Sequence, residues 1–101
     1  MARGPETRLQ RKIREALTKR FPDIFLFKVH GGPYQSSGIP DLCGCLNGRF
    51  IGMEVKVGSN KPTELQKLTL ERIARAGGIS GVVRSVEEAL RLAESAVQTE
   101  T

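Results

Sequence analysis

The 101-residue sequence predicts one α/β domain with the element order α-β-β-β-α-β-α. Three observations lead there. Three segments carry apolar residues at helical spacing, Asn47-Gly48 sits between two strand-like runs, and two more short apolar runs separate the helical segments.

The first helix spans residues 5–21. Pro5 suits its first turn, and Leu9, Ile13, Ala16, Leu17 and Phe21 form one stripe before Phe21-Pro22-Asp23 ends it. Residues 24–29 are a dense apolar and aromatic run, read as a buried strand. Residues 31–38 (GGPYQSSG) form a loop. Residues 42–46 and 49–57 flank Asn47-Gly48, a hairpin signal because a type I′ turn requires positive φ at both central positions. A second helix covers residues 62–76, with Pro62 near its start and Gly77-Gly78 beyond its end. Residues 79–84 form a short strand. Ser85 and Glu88 have capping-box spacing before a last helix carrying Val86, Ala89, Leu90, Ala93 and Val97. No linker divides the chain, so residues 1–101 read as one domain with a core of about 5–97 and a frayed tail.

Composition narrows the class. With 39% hydrophobic and 27% charged residues the chain is an ordinary globular one. No apolar run approaches the roughly 18 residues needed to span a membrane, and the first residues carry no apolar secretory segment. Cys43 and Cys45 make no disulfide framework, which fits a reducing, cytoplasmic setting. As a C-x-C pair with one histidine in the chain they make a poor zinc site, and buried, unreactive thiols are expected. The formal charge of +5 is concentrated: residues 1–20 hold seven cations and two anions, and the remainder is neutral. A polyanion partner, nucleic acid first, or a solvated helix face both fit that distribution.

The hairpin carries the chemistry. A two-residue turn fixes register, so Leu46 pairs with Arg49, Cys45 with Phe50, Cys43 with Gly52, and Asp41 faces Glu54. Opposed side chains there lie about 4.5–5.5 Å apart, where two carboxylates repel unless a cation intervenes or one is protonated. Lys56, two residues past Glu54, projects to the same face, while Gly52 adds no side chain to crowd it. Two acids with water describe a hard-cation site for Mg²⁺ or Mn²⁺, suited to phosphodiester hydrolysis. Lys56 would orient a water or stabilise developing charge. An exposed Glu–Lys pair is the plainer alternative.

Helix phase adds two residues. Glu6 lies within roughly 20° of Ile13 and Leu17, whereas Glu15 points away. Glu6 thus suits either a direct or water-mediated metal role or the positive end of the helix. Gln66 shares a face with Leu70 and Ile73, and binding a water or phosphate or capping a backbone group both fit.

Gly38-Ile39-Pro40-Asp41, Glu54-Val55-Lys56 and Gln66, in that order, resemble the G-x-P-D…E-x-K…Q pattern of the virus-type replication-repair nuclease (VRR-NUC) domain of the PD-(D/E)XK superfamily. The resemblance covers roughly residues 6–86. It implies a restriction-endonuclease-like α-β-β-β-α-β core with a C-terminal helix and a mixed central sheet flanked by helices. It implies an Mg²⁺- or Mn²⁺-dependent DNA endonuclease, with metal held by Asp41, Glu54 and the main-chain carbonyl of Val55, Lys56 as catalytic lysine and Glu6 as first-helix acid. Small stand-alone members are typically viral or bacterial and act as homodimers on branched DNA such as four-way junctions. Pro22-Asp23 is a second Pro-Asp pair, but it precedes the first strand and does not oppose Glu54.

Candidate DNA contacts follow. Lys28 and His30 share a strand face; a phosphate contact, proton transfer or a structural histidine all fit His30. Tyr34, Gln35, Ser36 and Ser37 sit in the loop before Asp41, suited to meet the DNA or to form a plain surface loop, and Lys61 follows the catalytic strand. Arg8, Arg11, Lys12 and Lys19 face away from the stripe that holds Glu6, outward toward DNA arms. A non-catalytic basic nucleic-acid-binding module and a nuclease subunit requiring a partner are the competing functions.

Overall fold

The structure, a computed structural model, describes residues 4–30 and 38–98. Its elements are α1 (Pro5–Arg20), β1 (Phe25–Lys28), β2 (Leu42–Leu46), β3 (Arg49–Val55), α2 (Glu64–Arg75), β4 (Ile79–Val83) and α3 (Val86–Val97), in the predicted order. Most of the 31–38 loop and the end of the tail lie outside the described residues.

The strands form one sheet in the order β1-β2-β3-β4. The first two pairings are antiparallel and β3 pairs with β4 in parallel through the α2 crossover, so the sheet is mixed. The hairpin register is the one the turn dictates: Leu46 opposite Arg49, Cys45 opposite Phe50, Cys43 opposite Gly52. Asn47 and Gly48 adopt φ of 57° and 79°, the left-handed values that a type I′ turn demands.

Alternation along β3 separates two faces. Ile51, Met53 and Val55 are fully buried with Ile13 and Leu17 of α1 and Ala89 and Ala93 of α3. Alanines on α3 let that helix sit close to the sheet. Phe50, Gly52 and Glu54 point to the opposite face, where α2 packs. Gly52 permits this approach: Ile73 Cδ1 and Pro40 Cγ stand 2.9 and 3.1 Å from where a Cβ would be. Its missing side chain is filled by α2 rather than left open over the site.

Helix boundaries follow their caps. Helix α2 starts at Glu64, two residues later than expected, because Thr63 accepts from the Gln66 N–H while the Gln66 side chain accepts from the Thr63 N–H. Ser85 accepts from the Glu88 N–H at 3.1 Å, but the Glu88 carboxylate accepts from the Arg84 N–H, one residue before the cap.

Two burial expectations are corrected. Strand β1 is a four-residue edge strand with Phe25 66% and Phe27 44% exposed, not a buried strand. Cys43 is buried, as expected, but Cys45 is exposed. The cause is the same for both. On that face α2 covers β3 and β4 and stops short of β1 and the hairpin end of β2.

Replacing Gly52 with valine forces methyl groups against Ile73 and Pro40. The expected loss is about 1–3 kcal/mol, the usual cost of overpacking a filled site. Urea unfolding measures it, and an unchanged midpoint would contradict the packing described.

Candidate active site

Asp41 immediately precedes β2 and ties three strand ends together. Its main-chain carbonyl accepts from the Val29 N–H at 2.8 Å, and its Oδ2 accepts from the Val55 N–H at 2.9 Å. Val55 therefore lies directly beside the Asp41 carboxylate. The Lys56 N–H donates to the Val83 carbonyl, which fixes the chain as it leaves β3.

Glu54, next to Val55, is 2% exposed. Its Oε2 accepts from Gln66 Nε2 at 3.0 Å and lies 3.5 Å from Lys56 Nζ. Its Oε1 is buried and has no hydrogen-bond partner among the described residues. Burial, reinforced by the nearby Asp41 charge, pushes the Glu54 carboxyl from 4.5 up to about 7, with Lys56 opposing. Gln66 caps the backbone of α2 with its Oε1, one of the two roles its position allowed, and its Nε2 donates to Glu54, a contact that neither role included.

The structure thus brings Asp41, Glu54, Lys56 and Gln66 together. Among the described residues no group of three or more His, Cys, Asp or Glu side chains is placed to hold a metal ion. Glu6 is half-buried in the first turn of α1 and does not complete a three-acid cluster with Asp41 and Glu54. Two carboxylates, one with an unpaired buried oxygen, suit a hard divalent cation whose remaining ligands are carbonyls and water. Thiolate ligation is disfavoured: burial pushes the Cys43 thiol up to about 11, and its Sγ contacts the Pro40 carbonyl at 3.6 Å.

The expected DNA contacts are distributed unevenly. Arg8, Arg11, Lys28 and His30 line one cleft, which also holds Arg14 and Gln10. Lys12 is exposed on α1 and Lys61 is exposed between β3 and α2. Tyr34, Ser36 and Ser37 lie outside the described residues. Gln10 is 5% exposed and was not singled out from sequence, although it stands seven residues before Leu17 on the same stripe.

No family model matches the chain, and no curated protein matches it by sequence. Solved structures do. One described as a VRR_NUC domain aligns at 28% identity with a TM-score of 0.62, over 82% of this chain and 91% of that one. The chain has the VRR-NUC/PD-(D/E)XK nuclease fold. Hjc from Archaeoglobus fulgidus, described as a Holliday junction resolvase, aligns at 20% identity with a TM-score of 0.60, over 78% of this chain and 67% of that chain. The VRR_NUC likeness supports a nuclease of the PD-(D/E)XK superfamily, and the resolvase likeness shows the shared fold. No helix among the described residues is long and apolar enough to cross a membrane.

The raised Glu54 pKa has a stability consequence. Between about 4.5 and 7 the folded protein keeps a proton that the unfolded chain has released. The contribution of this group is therefore full below pH 4.5 and lost as pH rises through 7. In metal-free urea unfolding, wild type is expected to lose stability relative to Glu54→Gln between pH 5 and pH 8. A gap between the two proteins that stays constant over that range would contradict it.

Proposed function

We propose that the protein is an Mg²⁺- or Mn²⁺-dependent DNA endonuclease that hydrolyses phosphodiester bonds in branched DNA, such as four-way junctions, as a homodimer. The observation that carries this reading is the buried Glu54 carboxylate, with one oxygen unpaired, beside Asp41 and Lys56. Asp41, Glu54 and the Val55 main-chain carbonyl would hold the ion, with Glu6 adding a direct or water-mediated contact. An ion held there would supply charge to polarise the scissile phosphate and activate water. Lys56 orients the attacking water and stabilises charge developing on the phosphate. Gln66 keeps Glu54 in place through its 3.0 Å hydrogen bond. Arg8, Arg11, Lys12, Lys28, His30 and Lys61 bind DNA backbone, with Tyr34, Ser36 and Ser37 contacting the strand near Asp41. The preference for junctions is supported by the resolvase among the similar structures. Two free thiols suit a cytoplasmic setting.

Assembly as two copies is supported by the α2 side of the sheet. All six large hydrophobics exposed among the described residues lie there: Phe25, Phe27, Ile39, Phe50, Leu65 and Leu68. Together they leave on the order of 500 Å² of apolar surface in water, a large part of the about 800 Å² that each partner contributes to a standard interface. One centre cuts one strand, so paired cuts require two centres, and two-fold dimers supply them.

Asp41→Ala and Lys56→Ala should each lower junction cleavage by at least about 100-fold while leaving DNA binding measurable. Cleavage of junction, flap, splayed and linear DNA with and without Mn²⁺ tests this; unchanged rates would sink the assignment. Salt-sensitive binding with no cleavage of any substrate would favour the non-catalytic module.

Light scattering should give twice the 11.1 kDa chain mass. A Phe25→Ser/Phe50→Ser double variant should fall to the single mass. A wild-type monomer that cuts both strands would rule out the dimer.

A further inference from the structure

Strand β1 is an edge of the sheet, paired on one side by β2. The Val29 N–H donates to the Asp41 carbonyl, so by alternation Phe25, Phe27 and Val29 turn their main-chain groups toward β2. Leu26 and Lys28 turn theirs outward. Outside the β1–β2 ladder no main-chain hydrogen bond reaches Leu26, Phe27 or Lys28 among the described residues.

An open edge invites another strand, and proteins commonly blunt it with proline, charge or a bulge. Strand β1 has no proline, and its register with β2 runs without a bulge. Its one charge, Lys28, points to the face that carries α1. On the other face Phe25 and Phe27 are exposed, with ring centroids 5.9 Å apart.

The segment is also complementary to itself. Asp23 stands exposed before its start, and Lys28 and His30 stand at its end. A parallel copy would set like charges together, whereas an antiparallel copy meets each end with the opposite charge. Centred on Phe27, the antiparallel pairing sets Leu26 opposite the second copy's Lys28, and each exchanges both main-chain bonds with the other. Phe27 then faces the second copy's Phe27 as a non-hydrogen-bonded pair, the arrangement in which side chains lie closest. His30 comes level with the second copy's Ile24, one residue from its Asp23. The two Lys28 side chains lie diagonally and are not opposed.

We propose that two copies of this chain join β1 to β1 in antiparallel register about Phe27, merging two four-stranded sheets into one. The inference rests on the two-copy reading above and names the surface that makes it. The two-fold axis of such a pair runs normal to the sheet, so both α2 helices and both Asp41/Glu54 centres stay on one side. With strands about 4.8 Å apart and residues spaced about 3.4 Å along them, the two Asp41 carboxylates lie about 20 Å apart. Strands of opposite polarity would meet equivalent centres, and β1 would set the stagger between their cuts.

Disulfide trapping in the full chain reads this register directly. In a Cys45→Ser background, Phe27→Cys should be trapped at twice the chain mass on oxidation. Non-hydrogen-bonded partners have Cα atoms about 4.5 Å apart, within the range that disulfides span. Phe25→Cys in the same background sits about 14 Å from its own copy and should stay single. The Cys45→Ser chain alone, whose Cys43 is buried, should also stay single. Lys28→Pro removes an outward N–H without touching the β1–β2 ladder. In a light-scattering dilution series it should weaken dimerisation at least about tenfold, with its urea midpoint reporting the fold. Leu65→Ser/Leu68→Ser, on α2, should leave the dimer intact.

Absence of a disulfide at Phe27→Cys, or equal trapping at Phe25→Cys, would overturn the proposal whether or not Lys28→Pro folds. A dimer lost in the Leu65/Leu68 variant but kept in a folded Lys28→Pro would overturn it in favour of the α2 face. DNA cleavage by wild type with no trapping at Phe27→Cys would leave the nuclease reading standing and the edge assignment wrong. Trapping at Phe27→Cys with no cleavage of any DNA by wild type in Mg²⁺ or Mn²⁺ would do the reverse.

Discussion

A carboxylate with 2% exposure has to be satisfied by the protein around it, and much of this molecule is arranged to do that for Glu54. Water cannot solvate the group, so burial alone drives it toward the neutral form. Asp41 pushes the same way and Lys56 pushes back. Gln66 and Lys56 take one carboxylate oxygen and leave the other unpaired. Protonation near neutrality is the resolution available to the protein alone; a cation beside Asp41 is the resolution that uses the second oxygen. With neither a proton shared with Asp41 nor a cation, that buried oxygen is costly.

That balance depends on backbone geometry set at a distance. The two-residue turn at Asn47-Gly48 places β2 and β3 in the only register that brings Asp41 to the level of Glu54. Asp41 then locks that register at its open end by accepting from the Val55 N–H. Gly52 lets Ile73 and Pro40 close onto the strand, which lowers α2 far enough for Gln66 to reach Glu54. The capping box at Thr63 holds Gln66 in the first turn of α2, so helix initiation and carboxylate positioning share one side chain.

Features governed by local geometry were legible in the sequence. The turn residues carried the hairpin register, and the helical stripes carried the element order, because each depends on few neighbours. Thr63 and Gln66 stand at capping-box spacing, yet Pro62 draws the expected helix start two residues too early. The exposure of β1 and Cys45 was not, since an apolar strand reads the same whether or not a helix extends over it. That outcome depends on how far α2 reaches, a property of three-dimensional packing. Gln10 had the same stripe position as Glu6 but none of its charge, so only its burial and its unpaired oxygen distinguish it.

The placement of charge closes the physical argument. A pair of acids at one end of a hairpin repels the phosphodiester it would act on, and Lys56 offsets only part of that field. The excess positive charge of the chain sits in residues 1–20, and α1 turns its arginines into the cleft that begins one residue past Val29. Under the proposed function, cations on α1 would attract a polyanion at long range, apart from the acids of the hairpin. On the proposed reading, affinity and its salt dependence would belong to the helix. Chemistry would, on the same reading, belong to the hairpin, and the bond from the Val29 N–H to the Asp41 carbonyl ties it to the end of β1.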